Sequence, residues 1–219
     1  MEVQFTGSWY DEAAEKTAAE TLIRRGAALV SQHADSMGAP TACETAGVPN
    51  VSYNGSTIVA CPNTFIVSSK IDWTYYFKWI IASVGGNAEA VPADFAGTIN
   101  NGMVALTAVN GDVIAAGTVD KIVEIRGKLL DGTLKVFDCS KFTVGGESLS
   151  TYMADVDTDA AFTPDTQVIK TENGKTYFAE SDFRSAPYFD IKIDGIKYLN
   201  AVYGTDENNN PIFVPGDEE

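Results

Sequence analysis

The chain has 219 residues, of which 45% are apolar, enough to bury a sizeable core in one or two domains and too many for a disordered segment. Its 30 acidic and 15 basic residues give a net charge of −15, which argues against a nucleic-acid backbone or an anionic membrane surface as partner. Residues 110–219 carry 20 of the acids and 10 of the bases, and a solvated acidic face that keeps the protein in solution accounts for them.

The first half reads as alternating strands and helices. Residues 3–6 (VQFT) have strand character, and a helix follows from Asp11 to Arg25 with Ser8 and Asp11 at capping-box spacing. Ala14, Ala18 and Leu22 line one face of that helix, and Gly26 ends it. Next come a strand over 28–33, a short helix over 37–46 stopped by Gly47, and strands over 50–54 and 65–70. A helix over 71–84 ends at Gly85-Gly86, and 102–109 reads as another strand. Strands separated by short helices predict an α/β fold, a mostly parallel, doubly wound sheet with crossover connections.

The second half changes character. A helix over 119–130 closes at Asp131-Gly132. Two hairpins are expected after it, one turning at Glu172-Asn173-Gly174-Lys175 and one turning at Asp194-Gly195 between strands over 188–193 and 196–199. The polar, acidic tail from Gly204 is expected to fray. This divides the chain into a lobe over 1–109, with 71–86 as a crossover helix, and a β-rich C-terminal extension over 110–219.

Cys43, Cys61 and Cys139 stand far apart, with no C-x-x-C spacing and no histidine beside them. They read as buried thiols rather than as a metal site or a disulfide framework, and no cofactor or metal is indicated. No apolar run approaches the roughly 20 residues of a membrane-spanning helix, and an export address, if the protein uses one, lies outside these residues.

In parallel sheets ligands gather at the carboxyl ends of the strands. The chemically distinctive residues fall there: Ser8 and Trp9 after the first strand, His33 and Asp35 after the second, Asn54 after the third and Lys70 after the fourth. Trp9 offers a flat face to a ring, although a tryptophan covering the end of the sheet is an equal reading of that residue alone. Lys70 also reads as a solvent-facing strand end, and Asn54-Gly55 as an ordinary turn. His33 with Asp35 could form a hydrolytic pair, but neither a serine nor a cysteine stands in a recognisable nucleophile setting. The aromatic run Trp73, Tyr75, Tyr76, Phe77 and Trp79 covers several faces of the helix and predicts burial against another surface.

"TGSWYDEAAEKTAAETLIRRGAALVSQHADSMG", "VPNVSYNGS" and "FIVSSKIDW", in this order, resemble the ligand-binding lobe of the basic membrane protein (BMP) family of lipoproteins. These are similar in fold to type I periplasmic sugar-binding proteins and include purine nucleoside receptors of ABC transporters. "LLDGTLKVFDCSKF" and "ESDFRSAPYFDIKIDGI" resemble the C-terminal part of some members. The resemblance implies one lobe of a two-lobed receptor, the other lobe being largely outside this sequence. It also implies a nucleoside-like ligand with no bond made or broken, an ABC permease as partner, and a lipid-anchored place at the cell surface or in the periplasm.

By the same resemblance Trp9 matches the aromatic that stacks on the purine, and Lys70 the lysine that bonds the ribose hydroxyls. Asn54 replaces an aspartate, which removes a charge-assisted bond. His33, Ala34 and Asp35 occupy a glycine-rich loop of which Gly38 keeps the small size. A helix over 71–84 deprived of its lobe predicts association with another copy or another chain. The competing readings are an enzyme using His33 and Asp35, and a surface or regulatory module.

Overall fold

The computed structural model describes residues 1–86, 95–154, 166–183, 191–205 and 211–215, with 201–205 and 211–215 described as backbone alone. In chain order the elements are β1 (Glu2–Val3), α1 (Glu12–Arg24), β2 (Val30–Ser31), α2 (Gly38–Ala46), β3 (Asn50–Tyr53), β4 (Phe65–Ile71), α3 (Thr74–Val84), β5 (Val104–Leu106) and α4 (Thr118–Leu130). After a 3₁₀ turn at Cys139–Lys141 come β6 (Met153–Ala154), β7 (Thr166–Gln167), β8 (Ile169–Glu172), β9 (Lys175–Phe178) and α5 (Glu180–Phe183), then β10 (Lys197–Tyr198), β11 (Asn200–Thr205) and β12 (Pro211–Pro215). The expected α/β alternation is present. Contacts group the chain into one unit of 1–71, 105–119 and 196–219 and a second of 72–104 and 120–195.

The first unit is built on a sheet of order β2-β3-β4-β5, in which β2, β3 and β4 run parallel. Its core is Ala19 of α1, Val30 of β2, and Ala39, Ala42 and Cys43 of α2, with Ile23, Ala27 and Val48 packed around them. Alanines at the contact let α1 and α2 approach closely, and Gly38 sets the limit. A Cβ built on Gly38 would lie 2.2 Å from the Glu12 carbonyl oxygen and 2.9 Å from the Lys16 nitrogen, both backbone atoms of α1.

The N-terminus of α1 is capped by Asp11, whose side chain accepts the Ala14 N–H at 2.9 Å. The Asp11 N–H donates in turn to Glu15 Oε1 at 3.0 Å. The reciprocal box thus lies at Asp11 and Glu15, not at Ser8 and Asp11. Ser8 turns its hydroxyl onto Tyr10, where a tight bend one residue further out offers a nearer partner.

The second unit holds the hairpin β8–β9, which turns at Asn173 (φ 51°) and Gly174 (φ 76°), a left-handed pair that Asn-Gly adopts at little cost. Cys139, Ala154, Val168, Ile169 and Phe178 form its core. All three thiols are buried and free, as expected.

The expected hairpin at Asp194-Gly195 does not form. Residues 191–193 take no strand, 188–190 lie outside the described residues, and β10 pairs with β1 in parallel instead. Asp194 serves a different turn, its carboxylate accepting from the Thr143 hydroxyl (2.6 Å) and the N–H groups of Gly145 (3.0 Å) and Gly146 (2.8 Å). Those bonds, the Thr143 hydroxyl first among them, lower its pKa. The tail does not simply fray either, since β11 and β12 pair antiparallel.

α3 has no buried residue. Its aromatics pack on one another and on Phe95, with Tyr76 and Trp79 centred 5.1 and 5.3 Å from that ring, rather than into a core.

The α1/α2 crossing generates a prediction. Gly38→Ala must push two helix backbones apart and is expected to cost at least about 1–3 kcal/mol, the usual range for overpacking, whereas Gly127→Ala on α4, which meets open space, is expected to cost nothing. Urea denaturation of the two variants measures the difference.

Candidate functional site

The rim of the site begins at a hydroxyl-locked bend. Gly7 takes the left-handed region (φ 69°), the Thr6 hydroxyl donates to the Ser8 carbonyl (3.1 Å), and the Ser8 hydroxyl accepts from the Tyr10 N–H (3.2 Å). This bend turns Trp9 outward, leaving it 69% exposed. The Trp9 carbonyl accepts the Asp35 N–H at 2.9 Å, which ties the first rim loop to the second.

The second loop is shaped from β2. Val30 and Ser31 stand opposite Asn50 and Val51, and the Gln32 N–H donates to Val51 O at 3.1 Å. Two residues further along this register His33 comes beside Tyr53, and their rings stack at 4.4 Å and 14°. Trp9 flanks the same imidazole at 6.0 Å and 49°. Trp9, His33 and Tyr53 therefore form a short aromatic row along the sheet edge. Gln32 braces the loop by donating from Nε2 to the carbonyls of Ala34 (3.0 Å) and Ser36 (3.2 Å).

Asn54 lies beyond Tyr53 and donates its N–H to Ser69 O at 2.6 Å. Tyr53 pairs with Ser69, so Asn54, just past the end of β3, comes level with Lys70, the last residue but one of β4. Asn54 takes φ 70°, a left-handed conformation that asparagine tolerates better than other residues bearing a Cβ. The structure thus joins Ser8, Trp9, His33 and Asp35 into one loop pair and places Asn54 and Lys70 side by side on the carboxyl edge of the same sheet. His33 rests against Tyr53 rather than bonding to Asp35. Sequence reasoning missed Tyr53, whose signal is the register of β2 on β3, two residues past the last paired position.

A groove of about 410 Å³ opens beside this rim, walled by 3–9 and 30–34. Ser8, Trp9 and His33 line it, while Asp35, Asn54 and Lys70 do not. A larger cavity, about 590 Å³, lies in the second unit and contains none of the residues expected to form the site. There the Tyr177 hydroxyl donates to Glu172 at 2.7 Å and the Lys135 ammonium lies over the Tyr177 ring; burial first, then Glu172, pushes the hydroxyl's pKa up to about 12. Burial likewise raises the carboxyl of Glu180. Among the described residues no group of His, Cys, Asp and Glu is set to hold a metal ion, and no helix is long and apolar enough to cross a membrane.

No family model matches the chain. In sequence it is similar to a protein of Haloferax volcanii named "Putative ABC transporter glucose-binding protein TsgA13", 26% identical over 148 residues, which are 68% of this chain and 37% of that protein. Among solved structures it is similar to an ABC transporter solute-binding protein from Conexibacter woesei, at 24% identity and a TM-score of 0.46 over 60% of this chain and 44% of that one. A solute-binding protein of an ABC transporter from Aeropyrum pernix gives 15% identity and a TM-score of 0.48 over 65% of this chain and 47% of that one. The chain is thus similar to ABC transporter solute-binding proteins, and it spans 37% of the length of the curated relative.

The backbone at Asn54 yields a prediction. Asn54→Val is expected to lower stability by about 1–2 kcal/mol through the left-handed penalty, and Asn54→Gly to leave it equal or higher. Denaturant titration of both variants separates this backbone effect from any loss of a side-chain contact.

Proposed function

We propose that residues 1–219 form the ligand-contacting part of an ABC-type solute-binding protein, which holds a small molecule at the carboxyl edge of β2, β3 and β4. The observation that supports the reading is the aromatic row of Trp9, His33 and Tyr53, with Asn54 and Lys70 at the following strand ends, in a chain similar to a binding protein of that class. An aromatic row with an exposed tryptophan, and an amide and an ammonium at the following strand ends, suit a ligand with one flat face and several hydroxyls. A nucleoside has both. Stacking would then fall to Trp9, the ribose hydroxyls to Lys70 and Asn54, and the loop contacts to Ser8, His33 and Asp35.

A monosaccharide is the second reading, favoured by the printed name of the Haloferax relative, because an apolar sugar face also packs on aromatic rings. In either case the protein binds and releases without bond making, works outside the cytoplasmic membrane and delivers to a permease. Titration of the chain with adenosine, inosine, free adenine, ribose and glucose, followed at the Trp9 indole N–H by NMR, tests the reading. Nucleosides are expected to shift that signal without being consumed. Trp9→Ala is expected to weaken binding by about 1–3 kcal/mol, and Lys70→Met to abolish the preference for riboside over free base. Shifts with glucose or ribose alone select the sugar reading, turnover selects an enzyme, and silence with all five probes removes the proposal.

The exposed flank of α3, with Phe77, Ile81 and Val84 open, is in our reading a surface for association with a second copy. Sedimentation of the chain at tens of micromolar is expected to show species larger than a monomer. The double variant Phe77→Glu, Ile81→Glu is expected to run as a monomer, and a wild-type chain that is already monomeric removes the inference.

A further inference from the structure

Four Asn-Gly pairs occur in the chain: Asn54-Gly55, Asn101-Gly102, Asn110-Gly111 and Asn173-Gly174. This dipeptide carries a latent reaction. Glycine has no Cβ to shield its nitrogen, which can therefore reach the side-chain carbonyl carbon, Cγ, of the asparagine before it and close a five-membered ring. Closure needs an asparagine side chain held by nothing else, a glycine nitrogen turned toward Cγ, and access of water. The four pairs meet these conditions unequally.

Asn110 is 7% exposed and held at both ends of its amide, Nδ2 donating to Pro62 O (2.9 Å) and Oδ1 accepting the Asp112 N–H (3.2 Å). Asn101 Oδ1 accepts the N–H groups of Thr98 (3.0 Å) and Met103 (3.2 Å), and Ile99 O takes the Gly102 N–H (3.3 Å). Asn173 is exposed, but its turn has the wrong hand. Asn173 (φ 51°) and Gly174 (φ 76°) form the two-residue loop of a type I′ hairpin, in which the first central residue has ψ near about +30°. Positive ψ swings the following nitrogen away from the Cβ of an L-residue, and Gly174 N is turned from Asn173 Cγ.

Asn54 differs on each count. The Gly55 N–H donates to Tyr53 O at 2.9 Å, a bond spanning three residues, and Asn54 between them has φ 70°. These features define the classic γ-turn, a rare and strained form whose central ψ lies near about −65°. Negative ψ brings the following nitrogen round toward Cβ, the side from which Cγ is reached. The neighbouring strand fixes the turn, since the Asn54 N–H donates to Ser69 O (2.6 Å) and the Ser68 hydroxyl to Gly55 O (2.7 Å). Asn54 and Gly55 are both exposed, and among the described residues the Asn54 side-chain amide has no partner.

We propose that Asn54 is a self-modifying site, at which attack of the Gly55 nitrogen on Asn54 Cγ converts an amide of the rim into a carboxylate. The Gly55 nitrogen gives its proton to hydroxide, the N–Cγ bond forms, and the Cγ–Nδ2 bond breaks as Nδ2 takes a proton from water and leaves as ammonia. Water then opens the ring at one of its two carbonyls, leaving aspartate, or isoaspartate with the chain running through Cβ. The sum is amide plus water to acid plus ammonia, with nothing oxidised or reduced. Closure gives up the bond to Tyr53 O and with it the strained turn. In the product an acid stands level with Lys70, and the acceptor at that point of the rim carries a charge. What this does to a bound solute rests on the solute-binding reading, whereas the modification does not.

The test incubates the full chain, folded in buffer and unfolded in urea, at the same mildly alkaline pH. Peptide mass spectrometry follows the amide-to-acid mass gain at each of the four asparagines, and isoaspartate methyltransferase labels the rearranged product. Folding is expected to slow Asn101, Asn110 and Asn173 by at least about tenfold, while Asn54 keeps or exceeds its unfolded rate. In Gly55→Ala the added Cβ meets nothing within 4 Å, and conversion at position 54 alone is expected to fall to the level of the protected sites. Slowing of Asn54 by as much as the other three, conversion of Asn173 ahead of Asn54 in the folded chain, or conversion of Asn54 unchanged in Gly55→Ala each overturns the proposal.

Discussion

A buried carboxylate organises the first unit. Glu15 is 2% exposed, and its oxygens accept the N–H of Asp11 at the start of α1 and the N–H of Ser36 just before α2. A charge out of water is costly unless its lone pairs are filled, and here they are filled by donors at the N-terminal ends of two helices, where the peptide dipoles favour an anion. Through this one side chain the bend carrying Trp9 and the loop carrying His33 and Asp35 are anchored to the same point. The close α1/α2 crossing at Gly38 then follows, because Glu15 draws the loop before α2 down onto α1.

The elements built from local rules could be read in the sequence. The periodicity of α1, α2 and α4 and the Asn-Gly turn of β8–β9 each depend on residues within a few positions of one another. What could not be read depends on partners far away. Asp194-Gly195 has the composition of a hairpin turn, yet the strand after it finds β1, almost 200 residues earlier, and Asp194 itself serves the turn at Gly145-Gly146. The tail is polar enough to suggest fraying, but β11 gains a backbone partner in β12.

The site was legible to the same degree. That Ser8, Trp9, His33, Asp35, Asn54 and Lys70 come at or near the ends of successive strands is a property of alternating α/β topology, although β1 itself pairs with β10 rather than with β2. Which of them touch is a matter of register. Tyr53 sits under His33 because β2 and β3 pair at Val30 with Asn50, an offset that no residue type announces. The cost of the arrangement is visible at Asn54, which holds a left-handed backbone so that its N–H can reach Ser69 across the strand end.

The thiol of Cys43 carries a consequence of a different kind. Burial, with a smaller contribution from Cys61, pushes its pKa up to about 11, so that at neutral pH only about one molecule in ten thousand bears the reactive thiolate even before access is considered. Cys43 lies in the core shared by α1, α2 and β2. Any electrophile that modifies it must wait for those elements to part. The rate of that modification is therefore a built-in clock for the opening of this layer, counted without introducing a label anywhere on the surface.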